Sequence, residues 1–121
     1  MAGAQIKMVT LLRRKPGLSL EEFIELYENG HRLIGERYLR GHASRYVRRF
    51  LRPLQVPGQA EVKRDYDVVM EIWFPDQAAY ESAMAAISAP AAAQEIAEDE
   101  ARLFDRDGIH SFTVEEYESD M

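Results

Sequence analysis

The chain has 121 residues, no cysteine and a formal net charge of −6. The length is that of one domain able to bury about two thirds of its unfolded surface, and the lack of thiols excludes disulfides, thiolate metal sites and cysteine nucleophiles. The acidic balance argues against general nucleic-acid binding. No apolar run is long enough for a membrane span, and residues 1–7 carry no secretory h-region, so a cytoplasmic protein is expected, with neither nucleic acid nor membrane as a partner.

In chain order, residues 5–13 read as a buried strand, followed by the turn Arg14-Lys15-Pro16-Gly17. Ser19 with Glu22 three residues later forms a capping box, so a helix starts there. Its stripe runs through Leu20, Phe23, Ile24, Tyr27, His31, Ile34 and Tyr38, with Gly30 expected to end or kink the first helix. Residues 44–54 fit either period. A helix would gather Tyr46, Val47, Phe50, Leu51 and Leu54 on one side, while Pro53 and the aromatic and β-branched residues favour a strand. Residues 55–64 read as a loop. Residues 65–74 are the clearest strand, with Tyr66, Val68, Met70, Ile72 and Phe74 on one apolar face. Asp76 is a plausible N-cap for a helix with the stripe Ala79, Tyr80, Ala83, Met84 and Ile87. Pro90 opens a further helical segment to about Arg102, and residues 109–117 read as a last strand.

Charge is unevenly spread along the chain. Between Arg32 and Arg52 seven arginines face one acid, and from Glu95 to Met121 ten acids face two arginines. Such opposed segments predict pairing within the chain or between subunits, or solvated faces.

Several pieces resemble the EthD family of the dimeric α+β barrel superfamily. They are the opening strand leading into Arg14-Lys15-Pro16-Gly17-Leu18-Ser19, then Glu22-Phe23, Tyr27-Glu28-Asn29-Gly30-His31, Tyr66-Asp67 before a strand ending in Trp73-Phe74, and Asp99-Glu100-Ala101-Arg102-Leu103-Phe104-Asp105. The chain departs from the pattern at Leu33, where the family often has proline. The resemblance implies a ferredoxin-like βαββαβ fold of the α+β class: a four-stranded antiparallel sheet with helices on one face, and residues 44–54 as its second strand. It also implies a homodimer in which two such sheets close a barrel, and a small-molecule site. Trp73 and Glu71 would then point between subunits, Glu71 pairing with Arg45 or Arg49. Basic strand two would face residues 115–118 of the partner.

For the chemistry, His31 is the first candidate: a half-buried imidazole on the helix stripe suits a general acid/base near neutral pH. The plainer alternative is a histidine that caps a helix end or satisfies a backbone carbonyl. Tyr27, Tyr38 and Tyr46, with Phe104 of the Asp99–Asp105 motif, are the candidate substrate contacts, although tyrosine on a core stripe often only packs. His31, His42 and His110 show no metal-ligand spacing, and there is no phosphate loop, nucleophile elbow or dinucleotide fingerprint. The expectation is a cofactor-independent enzyme acting on an apolar or aromatic hydroxylated metabolite by elimination, decarboxylation or oxygenation. The alternatives are a non-catalytic ligand-binding or stress-related dimer, and a haem-binding monooxygenase with His31 as axial ligand.

Overall fold

The computed structural model describes residues 4–60 and 64–121. Part of the expected loop, 61–63, and the first three residues of the chain therefore lie outside the described residues.

The elements follow in the order β1 (Ile6–Arg14), α1 (Leu20–Leu26), a π-helical turn (Tyr27–His31), α2 (Arg32–Leu39), β2 (Arg45–Phe50), β3 (Val68–Phe74), α3 (Gln77–Ser88), α4 (Pro90–Leu103) and β4 (Phe104–Thr113). The four strands form one antiparallel sheet in the order β2-β3-β1-β4. This is the ferredoxin-like α+β arrangement expected from the sequence, with residues 45–50 as its second strand.

Local chemistry sets the element boundaries. The Glu22 amide donates to the Ser19 hydroxyl at 3.1 Å and the Ser19 amide to the Glu22 carboxylate at 3.0 Å, a complete capping box that starts α1. The Asp76 carboxylate accepts from the Ala79 amide at 2.8 Å and starts α3, and Pro90 sits in the first turn of α4. Gly30 does not end the first helix. The chain continues through one wider turn, in which the Arg32 amide reaches back to the Tyr27 carbonyl, and then resumes as α2.

Strand alternation divides the sheet into two faces. One carries Met8, Thr10, Leu12, Tyr46, Phe50, Val68, Met70, Ile72 and Phe74, most of which pack in the core beneath the helices. The core has two clusters, one around Phe23, Tyr27, Leu103 and Phe104, the other around Leu39, Ile72, Phe74 and Ala83, and Met70 packs against both. The other face carries Val9, Leu11, Val47, Val69, Glu71, Trp73 and Phe112 in register and has no helix over it. On this open face Glu71 bonds to Arg49 at 3.0 Å and accepts from the Trp73 indole at 3.1 Å, while Lys7 and Arg45 both stack on the Trp73 ring.

Two strand ends differ from the sequence reading. β3 begins at Val68, because Asp67 turns into a buried anchor: its carboxylate accepts from the Arg14 amide at 2.8 Å, and its own amide donates to Leu12. Tyr66 falls outside the strand and packs on His110 instead of the core. β4 begins at Phe104 and not Ile109, and ends at Thr113. Asp105 pairs with Arg13 and Ile109 with Leu12, so residues 106–108 are looped out as a bulge.

Gly108 closes that bulge against β1. An added Cβ would lie 2.5 Å from the Cβ of Arg13. Gly108→Ala should therefore destabilise the protein by about 1–3 kcal/mol, the usual range for overpacking. Urea unfolding followed by circular dichroism checks this; a change below about 0.5 kcal/mol would show that the bulge relaxes freely.

Candidate active site

Between the two core clusters lies a cavity of about 410 Å³. Met70 and Ile72 from the sheet, Ile34 from α2 and Ile96 from α4 make much of its wall apolar. All five residues singled out from the sequence, His31, Tyr27, Tyr38, Tyr46 and Phe104, border it.

His31 arrives there through the wider turn. Tyr27 is fully buried, and the wider turn sets the His31 ring edge-on to it, centroids 5.3 Å apart, and edge-on to Phe104 at 5.1 Å. Nδ1 of His31 hydrogen-bonds to the Asp99 carboxylate at 2.9 Å. Asp99 is only 9% exposed, and its second oxygen accepts from Arg102 at 2.8 and 3.0 Å. A neutral imidazole that donates from Nδ1 keeps a lone pair on Nε2, which has no hydrogen-bond partner among the described residues. The partner of Nδ1 is thus a side-chain carboxylate and not a backbone carbonyl.

The tyrosines are not equivalent. The Tyr27 and Tyr46 hydroxyls lie 3.5 Å apart, and burial pushes the ionisation of both upward, Tyr27 well above 10.0, so both are neutral donors at ordinary pH. Tyr46 can lie flat over α2 because residue 35 is glycine; a Cβ there would meet the Tyr46 hydroxyl at 3.0 Å. Tyr38 lends its ring to the wall but commits its hydroxyl to Glu95 at 2.6 Å, a bond that raises its ionisation. On the sheet side the Thr10 and Ser111 hydroxyls bond to each other at 2.8 Å. His42 lies in the turn after α2 and His110 against Tyr66, so neither joins His31.

Sequence reading did not single out Asp99 and Glu100 as site residues. The signal for Asp99 was present: Ala92, Ile96, Asp99 and Leu103 form the inner stripe of α4, and an acid on that stripe needs a buried partner. Glu100 also borders the cavity, half-buried, and its loss of hydration raises its carboxyl above the ordinary 4.5 despite the opposing influence of His31 and Arg106 nearby.

That shift links stability to pH. A carboxyl whose ionisation is raised by folding holds more protons folded than unfolded, so its contribution is largest below about 4.5 and is lost as pH rises through the folded value. Glu100→Gln should thus melt higher than the wild type at pH 7 and at the same temperature at pH 4. Equal melting temperatures at both pH values would refute the burial of this carboxyl.

A family model for the EthD domain matches residues 15–107. No curated protein matches the chain. Among solved structures, an EthD-like protein from Ralstonia eutropha is 14% identical with a TM-score of 0.62, over 93% of this chain and 89% of that one. An ethyl tert-butyl ether degradation family protein from Bacillus halodurans is 17% identical with a TM-score of 0.59, over 94% of this chain and 100% of that one. SnoaB, a cofactor-independent oxygenase from Streptomyces nogalater, is 13% identical with a TM-score of 0.56, over 95% of each chain. At these identities the structural likeness speaks for the fold, and the family rests on the matched domain. With 15–107 covering most of its length, the chain belongs to the EthD domain family.

Proposed function

We propose that the protein is a small-molecule enzyme in which His31 moves a proton to or from an apolar or aromatic hydroxylated metabolite. The observation that carries this reading is the Asp99-held imidazole with a free Nε2 at the wall of an apolar cavity. Asp99 orients the ring and stabilises the imidazolium that forms when Nε2 takes a proton, the role of the third group in many acid–base sites. Tyr27, Tyr46 and Phe104 shape the pocket around the substrate, and Tyr27 and Tyr46 offer hydroxyls to its oxygens. Removing a proton beside a carbonyl or phenol yields a resonance-stabilised carbanion, the common first step of elimination and cofactor-independent oxygenation. The likeness to SnoaB supports side chains alone doing such chemistry. In the same reading the protein acts without a cofactor.

We further propose that it works as a homodimer through the open sheet face. That face presents Val9, Leu11, Val69 and a half-exposed Phe112 without cover, and one structural neighbour, from Thermobifida fusca, is a dimeric ferredoxin-like protein.

Exchange of the α-protons of 2-tetralone in deuterium oxide, followed by NMR, tests the first proposal. The wild type should accelerate exchange over buffer, and His31→Ala should lose about 10²-fold or more of that rate. Exchange no faster than buffer, or unaffected by His31→Ala, would refute it. For the second, Val9→Asp places a carboxylate opposite Glu71 at the centre of the open face. Sedimentation should show a wild-type dimer and a Val9→Asp monomer; a monomeric wild type at micromolar concentration would overturn the dimer.

A further inference from the structure

Hydrogen-bonding capacity around the cavity can be accounted for group by group. Tyr27 and Tyr46 share one contact, Thr10 and Ser111 another, and the Tyr38 hydroxyl is held by Glu95. Nδ1 of His31 is held by Asp99. Three polar groups on side chains that border the cavity are left without a hydrogen-bond partner among the described residues: Nε2 of His31, the hydroxyl of Tyr80 and the carboxyl of Glu100, the one acid of the three.

Glu100 occupies a position where packing alone calls for an apolar side chain. Glu100 lies one helical step of four after Ile96, Phe104 opens β4 just beyond the helix, and all three border the same cavity. The neighbouring acid, Asp99, satisfies both oxygens with His31 and Arg102, whereas Glu100 has no such pair. A half-buried carboxyl left in this state weakens the fold, which is the pattern of a group kept for its reactivity. The titratable and charged groups that act on it are His31 from the wider turn, Arg106 from β4 and Asp99 on its own helix.

We propose that Glu100 is the second proton-transfer residue of this cavity, protonating a substrate carbonyl oxygen while His31 takes a proton from the adjacent carbon. This rests on the reading of His31 given above. In the step, Nε2 of His31 removes the Cα proton, and the C–H pair becomes the new carbon–carbon π bond. The carbonyl π pair moves onto oxygen, which takes the Glu100 proton. The products are the enol, His31 imidazolium and Glu100 carboxylate, and the reverse step restores all three. No oxidant or metal takes part. Burial supports the role, because loss of hydration holds the Glu100 carboxyl in its protonated, donating form to higher pH than an exposed glutamate. The site is thereby assigned to carbonyl compounds that can enolise, a narrower class than hydroxylated metabolites at large.

The same 2-tetralone exchange separates the two readings. In full-length protein, Glu100→Gln should lower the saturated exchange rate by about 10²-fold. The dissociation constant for 2-tetralone should change less than about twofold, since the amide still donates to the carbonyl. The wild-type rate should fall on the alkaline side as Glu100 ionises, and that limb should vanish in Glu100→Gln. Exchange that depends on His31 but is unchanged in rate and pH profile by Glu100→Gln would overturn this inference and leave the role of His31 standing. If the wild type gives no exchange above buffer, both fall. A Glu100→Gln variant that binds 2-tetralone more weakly but keeps the saturated exchange rate would make Glu100 a binding residue, and would overturn the proton-transfer role.

Discussion

The hydrogen bond from His31 to Asp99 ties the sheet-covering helices into a site. It joins the end of the wider turn to α4, two elements brought together only by the closed fold. Asp99 is almost fully buried, and such a carboxylate is tolerable only when its oxygens are satisfied; His31 and Arg102 take one each. The same bond fixes the ring and selects which nitrogen faces the cavity. The aromatic packing of Tyr27, His31 and Phe104 depends on this orientation, since all three rings meet edge to face within 5.1–5.6 Å.

The wider turn is the backbone condition for that bond. Tyr27 and His31 both have to face inward, four residues apart, beside a glycine that leaves room for Arg102: a Cβ on Gly30 would stand 3.2 Å from the Arg102 guanidinium. The glycine thus serves the Arg102–Asp99–His31 chain instead of ending the helix. A break in the regular helix at a candidate active residue fits the frequent placement of π-type turns at functional sites.

Most of the fold was legible because its signals are local. The capping box at Ser19, the cap at Asp76, the proline at the head of α4 and the apolar alternation of β3 each determine an element without help from distant residues. The ambiguous stretch 44–54 was decided only by resemblance, since Arg48 and Phe50 suit either period. What escaped was non-local. The last strand reads from residue 109, yet Phe104 and Asp105 already pair with β1, across a bulge. Asp99 and Glu100 are part of the 99–105 motif without a role of their own, and their partners become visible only when α4 packs against the wider turn. The arginine run, likewise, is largely absorbed locally: Arg32, Arg37, Arg48, Arg49 and Arg52 all pair with acids of their own chain, and Glu95 alone of these acids comes from the acidic C-terminal segment. Of the opposed charge blocks, then, the basic one ties the wider turn, β3 and α1 to β2 and its flank through Arg48, Arg49 and Arg52, and α2 to α4 through Arg37.

Asp99 and Glu100 show how one dipeptide can supply two different groups. They are adjacent in sequence and project from the same helix at about 100° to each other. One turns toward His31 and Arg102 and is held by both; the other borders the cavity with no bonded partner. The two carboxyls thus stand in unlike surroundings, one bonded on both oxygens and one unbonded. Here the helical geometry makes that difference unavoidable: a side chain that reaches His31 Nδ1 from α4 obliges its C-terminal neighbour to lie about a quarter-turn away. The cavity, bounded by Ile96 on the same helix and by Phe104 just beyond its end, lies on that side. The positioning of His31 and the placing of a second carboxyl at the cavity wall are therefore two consequences of one helix registering on one turn.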